Sequence, residues 1–271
     1  IILVVISLLS GLTVFLISNA LFGKKDEPVE IDNKVDINDS NVQILYSYVS
    51  YEDKNQKNEK FIKEQSVTLN SFSNSEKFYY ALQFVQPDDL SFTGELTEEK
   101  QKIYLLPDKK VKTYMQRYFG PQVTYKADDT ITYTFDFKIN NKNIGVLNYS
   151  DADRGFKIYF TGLEEKNDNA DLVQPYYSEL VSAERKEDNS LELTEKVIYT
   201  EVKEENGIYE VDIYKDYQKK RIIEKKTNLT LDELKKEPIS IEKYKATAAT
   251  VTYLFKVYNN SYYFYSSTIS N

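Results

Sequence analysis

The chemistry available to this chain is restricted to carboxylates, lysines, hydroxyls and amides, because its 271 residues include no His and no Cys. The Ser-His-Asp triad, thiolate nucleophiles and zinc sites built on imidazole or thiolate are therefore excluded. The ligands that remain are oxygen atoms, which suit Ca²⁺ or Mg²⁺ rather than transition metals. We expect no organic cofactor and no transition-metal site.

Two short motifs come closest to known sites, and both are incomplete. Asp151, Asp153 and Gly155 have the D-x-D-x-G spacing that opens a calcium loop, but the third acidic ligand and the closing Glu are missing. A tight turn between two strands is the simpler interpretation. Ser240 and Lys243 match the S-x-x-K motif of penicillin-recognising enzymes, which also need an S-D-N and a downstream K-T-G that this chain lacks. We therefore predict no catalytic residue and no metal ligand at either motif.

Paired carboxylates are the catalytic option that the composition leaves open. Asp88-Asp89 and Asp128-Asp129 are adjacent pairs, and adjacent residues of a strand point to opposite faces, so neither pair forms an acid–base couple by itself. A glycosidase-type reaction needs two carboxyls about 5–10 Å apart around a sugar, and these can come from distant positions. A hydrolase that uses paired carboxylates is therefore the alternative function.

The charge balance argues against nucleic acid as a partner. The chain has 35 basic and 43 acidic residues, a net charge of −8, whereas nucleic-acid binding usually shows a basic surface. Its one basic cluster is Lys219-Lys220-Arg221 followed by Lys225-Lys226. Such lysines are typical of an edge strand that is guarded against edge-to-edge association. Contact with anionic lipid or a wall polymer is the other interpretation.

The candidate binding residues come from a predicted C-terminal hairpin with Asn259-Asn260 as its two-residue loop. Its register places Val257 opposite Tyr262 and Phe255 opposite Phe264. One face is then a core face: Val251, Tyr253, Phe255, Val257, Tyr262 and Phe264. The other face combines Leu254 with the candidate binding residues Lys256, Tyr258, Tyr263 and Tyr265. This second face is either a cross-strand Tyr ladder that stabilises the sheet or a recognition surface, since Tyr gives a large contact area at low entropic cost.

The N-terminal residues 1–22 carry no charge and would form about 33 Å of helix, enough for a bilayer core of roughly 30 Å. We expect a single-pass signal anchor rather than a signal peptide, although residues 18–20 offer a cleavage site after Ala20. Lys24 and Lys25 follow the span and would favour a cytoplasmic C-terminal side. Because bacterial signal anchors usually carry Lys or Arg ahead of the span, we expect the C-terminal part to lie outside the cytoplasm.

The rest of the chain is predicted as an α+β fold, with short helices followed by a mainly antiparallel sheet. A polar linker at residues 23–40 leads to a helix-rich then β subdomain at 41–165. An antiparallel β subdomain with one short helix follows at 172–271 and ends in the C-terminal hairpin. It contains a meander at 176–226.

Capping chemistry and turn chemistry place the elements. Ser73 with Glu76 is a capping box, and Gly120 ends the helix that Pro107 opens. Asn206-Gly207 between two apolar runs is the strongest hairpin signal in the chain. The predicted helix starts are Ser40, Ser73, Pro107 and Thr230.

The order of elements resembles cystatin-like and nuclear transport factor 2-like ectodomains, in which helices precede a long meander that ends in an aromatic strand pair. The segment NSEKFYYAL, the helix end Tyr118-Phe119-Gly120 and the strand Tyr262-Tyr263-Phe264 resemble membrane-anchored ectodomain proteins of low-GC Gram-positive bacteria. That resemblance implies a location in the cell envelope and carries no assigned activity.

Together these features predict a membrane-anchored, extracytoplasmic module of the cell envelope that is not an enzyme. Residues 1–22 are expected to contact the membrane, and the partner is expected to be an envelope protein or a wall polymer. A content of 24 Tyr without any His is better suited to recognition than to proton transfer. An envelope hydrolase with paired carboxylates is the alternative.

Overall fold

The computed structural model describes these stretches of the chain: 33–50, 59–125, 134–139, 142–161 and 173–270. The predicted membrane span at residues 1–22 and the boundary between the two predicted subdomains, at 165–172, lie outside them. Within these stretches no helix combines the length and the apolar character needed to cross a bilayer.

The helices of the described part are short and are placed largely as their caps predict. They are α1 (Ser40–Val49), α2 (Glu59–Lys63), α3 (Asn74–Leu82), α4 (Asp108–Phe119) and α5 (Leu231–Lys236). The capping box before α3 is confirmed, since Ser73 Oγ accepts from the Glu76 N–H at 3.2 Å and the Glu76 carboxylate accepts from the Ser73 N–H at 2.7 Å. The predicted cap of α1 is wrong by one residue. Asp39, not Ser40, is the N-cap, because its carboxylate accepts from the Asn41 N–H at 2.8 Å.

The strands of the described part form two sheets in which every pairing is antiparallel. They are β1 (Lys34–Val35), β2 (Ser66–Thr68), β3 (Ser91–Leu96), β4 (Lys102–Pro107), β5 (Thr134–Ile139), β6 (Lys142–Ser150), β7 (Gly155–Thr161), β8 (Tyr176–Arg185), β9 (Leu191–Glu205), β10 (Ile208–Tyr214), β11 (Ile222–Leu229), β12 (Ala249–Tyr258) and β13 (Ser261–Ser270). The large sheet has the order β1-β8-β9-β12-β13-β2, with β10 pairing β9 and β11 pairing β10. The small sheet has the order β3-β4-β7-β6-β5. The prediction of an α+β fold with mainly antiparallel sheet is confirmed.

The helices α3 and α4 are buried on two faces. The small sheet packs against one face of this helix pair, and the large sheet packs against the other face. The residues that join the core of the small sheet are Phe78, Ala81, Leu82, Val111 and Met115. The residues that join the core of the large sheet are Tyr80, Tyr118 and Phe119. The helix pair therefore forms a layer between the two sheets, and its apolar surface is wider than the stripe of a surface helix.

The opposite face of the large sheet has a core of its own. Ile198, Val211 and Ile213 lie there, against Leu234 of α5 and Tyr244 of the 3₁₀ turn Ile241–Tyr244. The long strand β9 is thus buried on both faces where it crosses the middle of the large sheet.

Two hairpin turns adopt the backbone that their sequences indicate. Asn206 and Gly207 have φ of 53° and 77°, and Asn259 and Asn260 have φ of 48° and 59°. Positive φ at both central residues is the requirement of a type I′ turn, which Asn and Gly meet most easily. Both predicted hairpins are confirmed.

Part of the segment predicted as a linker, residues 23–40, packs onto the large sheet. Lys34 and Val35 form β1, which pairs with Glu184 and Ala183 of β8. Ile37 also packs against the core of the large sheet. Two apolar side chains of this otherwise polar segment, Val35 and Ile37, therefore contact the core of the large sheet.

Removal of residues 246–271 should abolish cooperative folding. The deletion takes away β12, which lies between β9 and β13, together with the buried rings of Tyr253, Phe255 and Phe264. Each such ring is worth about 3–5 kcal/mol, against a total stability of about 5–15 kcal/mol. Thermal unfolding followed by circular dichroism checks this, with a chain lacking only Asn271 as the control. A truncated chain that melts cooperatively at the control's temperature would contradict the assignment.

Candidate functional site

The predicted binding residues lie on the β12–β13 hairpin in the expected register. Tyr258 pairs with Ser261, Val257 with Tyr262, Lys256 with Tyr263 and Phe255 with Phe264. The assignment of Val257 to the core is wrong, because its side chain is 44% exposed. The physical reason is the length of the neighbouring strand. β9 begins at Leu191, opposite Phe255, so the hairpin tip projects beyond it.

Two of the candidate tyrosines are open to solvent. Tyr258 is 47% exposed at the tip, and Tyr265 is 44% exposed. Tyr265 is the extra residue of a β-bulge, since Phe264 pairs with Phe255 while Ser266 pairs with Leu254. The Lys256 Nζ lies 3.8 Å from the centroid of the Tyr265 ring, a cation–π contact that joins two candidates.

The third candidate tyrosine, Tyr263, packs against the end of α4. Gly120 follows this helix with a φ of 81°, and a Cβ placed there would lie 2.5 Å from the Tyr263 Cε2 atom. The glycine therefore meets two demands at once. It supplies a positive φ, and it lets the Tyr263 ring approach the backbone.

A cleft of about 310 Å³ opens between the end of α4, β13 and the segment after β2. Its lining consists of Thr68, Leu69, Asn70, Phe119, Pro121, Gln122, Tyr263, Phe264 and Tyr265. It contains two of the four candidate binding residues, while Lys256 adjoins it through the Tyr265 ring and Tyr258 lies apart at the tip. No carboxylate and no amine belongs to this lining.

The floor of the cleft is fixed by aromatic packing. Phe264 and Phe119 are buried, whereas Asn70 and Gln122 are exposed at the rim. The Phe264 ring lies 5.2 Å from the Phe61 ring between centroids. A cleft with an aromatic floor and a few amides at its rim can orient a ligand, but it holds no group that transfers a proton near neutral pH.

The calcium-like motif forms the turn between β6 and β7. Asp151 and Asp153 are exposed, and the Asp153 carboxylate accepts from Ser150 Oγ at 2.7 Å. Arg154 adopts a positive φ of 50°, which belongs to the turn. The motif therefore serves to reverse the chain, and no group of three acidic side chains suited to a metal ion occurs in the described ranges.

The S-x-x-K motif does not bring its two residues together for catalysis. Ser240 Oγ accepts from the Glu242 N–H as a helix cap, and the Lys243 Nζ lies 2.7 Å from the Glu224 carboxylate. Each residue therefore has its own structural partner, which leaves the motif without a nucleophile–base pair.

The basic cluster lies on and before β11, which pairs with β10 alone among the described strands. Three of its five charges are paired with acids on the same sheet or loop, including Arg221 with Asp216. Lys219 lies 2.9 Å from Glu201, and Lys225 lies 3.0 Å from Glu210. This arrangement favours the guarded-edge interpretation over a site for anionic polymers.

Among the carboxylates, Asp88 precedes Asp89 in a 3₁₀ turn, where Asp89 accepts from the Tyr114 hydroxyl and pairs with Lys110 at 2.7 Å. Asp128 and Asp129 lie outside the described residues. The structure brings two carboxylate pairs together across neighbouring strands: Glu201 with Asp212, and Glu184 with Glu192, which share the Lys186 ammonium.

Glu201 and Asp212 face each other across β9 and β10, and the Tyr214 hydroxyl lies 3.3 Å from both carboxylates. The Asn206-Gly207 turn implies this pairing, so the hairpin register could have revealed it. The Lys219 ammonium beside Glu201 holds the pKa of that carboxyl below its usual range. Glu201 therefore lacks the raised pKa that marks a general acid.

A buried carboxyl, Glu195, lies inside the core of the large sheet and was not predicted from the sequence. It is 2% exposed, and its oxygens accept from the Tyr46 hydroxyl at 2.7 Å and the Tyr253 hydroxyl at 2.5 Å. Burial raises the pKa of Glu195, while hydrogen bonds from Ser178, Tyr253 and Tyr46 act in the opposite direction. The alternation of the strand Leu191–Glu205 could have predicted its burial, because Glu195 occupies one of the inward positions.

Comparison with models of protein families, with curated proteins and with solved structures gives no match for this chain.

Replacement of Glu195 by Gln should make stability less dependent on pH. Because the folded pKa of Glu195 is raised, the folded state binds its proton more tightly than the unfolded state does. The contribution of Glu195 is therefore complete at low pH and is lost as the pH rises above its ordinary value of 4.5. Urea unfolding between about pH 4 and about pH 8 should show the Glu195→Gln chain gaining stability relative to the wild type as the pH rises. A difference that stays constant over this range would refute the assignment.

Substitution of Gly120 by Ala should cost more than the same substitution at Gly207. Both glycines have positive φ, which costs about 1–2 kcal/mol of backbone strain at Gly207 and more at Gly120, because its φ of 81° and ψ of −178° lie in a region that is essentially restricted to Gly. Gly120→Ala adds a clash with the Tyr263 ring of about 1–3 kcal/mol, whereas nothing lies within 4 Å of the Gly207 position. Urea unfolding measures both, and Tyr263→Ser should recover part of the loss in the Gly120→Ala background. Equal losses at the two glycines would show that the close approach is absent.

Proposed function

We propose that this chain is a membrane-anchored, extracytoplasmic interaction module of the cell envelope, which binds a protein or a wall polymer without transforming it. The observation that carries this proposal is the cleft beside β13, which brings Tyr263 and Tyr265 together over an aromatic floor. Pockets of this type combine apolar contact with a few polar groups that orient the ligand.

The chemistry of the lining favours recognition over catalysis. The amides of Asn70 and Gln122 can each donate and accept hydrogen bonds, as can the hydroxyls of Tyr263 and Tyr265. Tyr side chains also lose little rotamer entropy when a ligand covers them. These groups bind uncharged polar ligands, and they offer neither a nucleophile nor a base.

The membrane part of the proposal is supported by sequence alone. Residues 1–22 carry no charge and are long enough to cross a bilayer as a helix. The net charge of −8 supports a partner other than nucleic acid.

The alternative function, an envelope hydrolase, would use Glu201 and Asp212. Their cross-strand pairing is the specific observation in its favour. The ion pair between Lys219 and Glu201 weakens it, because a glycosidase needs one carboxyl that stays protonated. The cleft does not include either carboxylate.

The proposal predicts that exposed tyrosines of the hairpin are needed for binding and are dispensable for folding. The full chain in detergent is mixed with a Gram-positive cell-envelope fraction that retains its surface proteins, and co-sedimentation is measured. Tyr258→Ser combined with Tyr265→Ser should weaken binding by about tenfold or more, since aromatic anchors dominate such interfaces. The thermal midpoint should change little, because both side chains are exposed.

The matched control is Phe92→Ser combined with Tyr217→Ser, which removes two exposed aromatic side chains elsewhere. This control should sediment with the envelope fraction as the wild type does. If the hairpin variant binds as tightly as the control but melts at a lower temperature, the tyrosines form a stabilising ladder and the proposal fails.

A further inference from the structure

Within the described residues, β2 covers only part of the outer edge of β13. β13 spans Ser261–Ser270, but β2 pairs with it only at Ser266, Ser267 and Thr268. After Thr68 the chain leaves the sheet and enters the 3₁₀ turn Leu69–Ser71. Within the described residues no strand pairs with the outer edge of β13 from position 261 to 265.

The cleft lies where a longer β2 would continue. Thr68, Leu69 and Asn70 line one side of it, and residues 263–265 of β13 line the other. Extended by two more residues in the same register, β2 would lie opposite Tyr265 and Phe264. The cleft therefore lies where an additional strand would pair with β13, and the aromatic floor lies beneath this position.

A strand edge of this kind presents main-chain N–H and C=O groups at the spacing of another extended chain. Edge strands are usually guarded by charge or by a covering element, and a strand that pairs there gains hydrogen bonds along its whole backbone. The stretch from Tyr262 to Tyr265 carries no charged side chain and no Pro, so neither charge nor Pro guards this edge, and the β-bulge at Tyr265 bends it only locally.

We propose that the cleft binds an extended peptide segment of a partner protein, which adds to the outer edge of β13 at residues 263–265 in line with β2. This inference rests on the proposed binding function and specifies its ligand. The part of the peptide that enters the cleft is uncharged, because the lining contains no charged side chain that could pair with a charge on the peptide. Lys256 beside Tyr265 favours an acidic residue next to the paired segment.

A glycan would use the same tyrosines and amides, but it would leave the main-chain edge of β13 without partners. The peptide satisfies both the side-chain lining and the edge, and it continues a ladder that already exists between β2 and β13. An extended peptide is therefore the ligand that accounts for both the side-chain lining of the cleft and the unpaired edge of β13.

Hydrogen–deuterium exchange of the full chain tests the proposal with a defined probe. The probe is a blocked peptide of sequence Glu-Val-Thr-Val-Thr, since strand addition depends mainly on the backbone. It should slow exchange of the outward-facing amides among positions 263–265 by about fivefold or more, because the other amides of this stretch face β12. The same peptide with every amide N-methylated keeps its side chains but loses its donors, and it should give no protection.

Two variants separate binding in the cleft from binding elsewhere. Asn70→Trp fills the cleft from the segment after β2 and leaves the sequence of the β12–β13 hairpin unchanged, and it should abolish protection by the probe. Ile44→Trp places the same side chain at an exposed position of α1, and it should leave protection unchanged.

Protection by the N-methylated peptide, or equal protection in the Asn70→Trp chain, would overturn strand addition. A neutral glycan such as chitotetraose that protects the cleft when the peptide does not would also overturn it, while leaving the binding function in place. If neither probe protects the cleft and the envelope fraction binds the hairpin variant normally, both the inference and the proposed function fail.

Discussion

The burial of the Phe264 ring is the contact on which the rest of the architecture depends. Its neighbours come from two helices, a loop and strand β12. The Phe61 ring of α2 lies at 5.2 Å, the rings of Phe72 and Tyr118 at 6.0 Å, and the Phe255 ring at 6.2 Å between centroids. This cluster holds α4 against β13, and that position in turn brings Gly120 against Tyr263. The cleft is the space left over when these packed rings meet a β2 strand of only three residues.

The same core tolerates a polar group for a structural reason. Glu195 is satisfied by hydroxyls of Tyr46 on α1 and Tyr253 on β12, so it links a helix to the sheet at the cost of a buried carboxyl. A third hydroxyl, that of Tyr118, donates to the Tyr48 carbonyl at 2.9 Å and links α4 to α1. A content of 24 Tyr thus gives large rings for packing together with hydroxyls that tie the layers to one another.

The parts of the fold that depend on neighbouring residues were predictable from the sequence. The capping box at Ser73 and the turn at Asn206-Gly207 act over a few residues, and both are confirmed. The exposure of Val257 was not predictable, because it depends on where the distant strand β9 begins. The cleft depends in the same way on where β2 stops, so Tyr263 and Tyr265 could be nominated but not their neighbours Asn70 and Gln122.

The central claim is that the edge of β13 beside the cleft is a surface for recognition. Photo-crosslinking tests it most directly, with a photoreactive phenylalanine placed at Tyr265 or, as a control, at the comparably exposed Tyr217 in cells that produce this chain naturally. The account predicts a discrete crosslinked protein from position 265 that is absent from position 217 and is lost with Asn70→Trp. Identical crosslinking from both positions, or none from position 265, would contradict it.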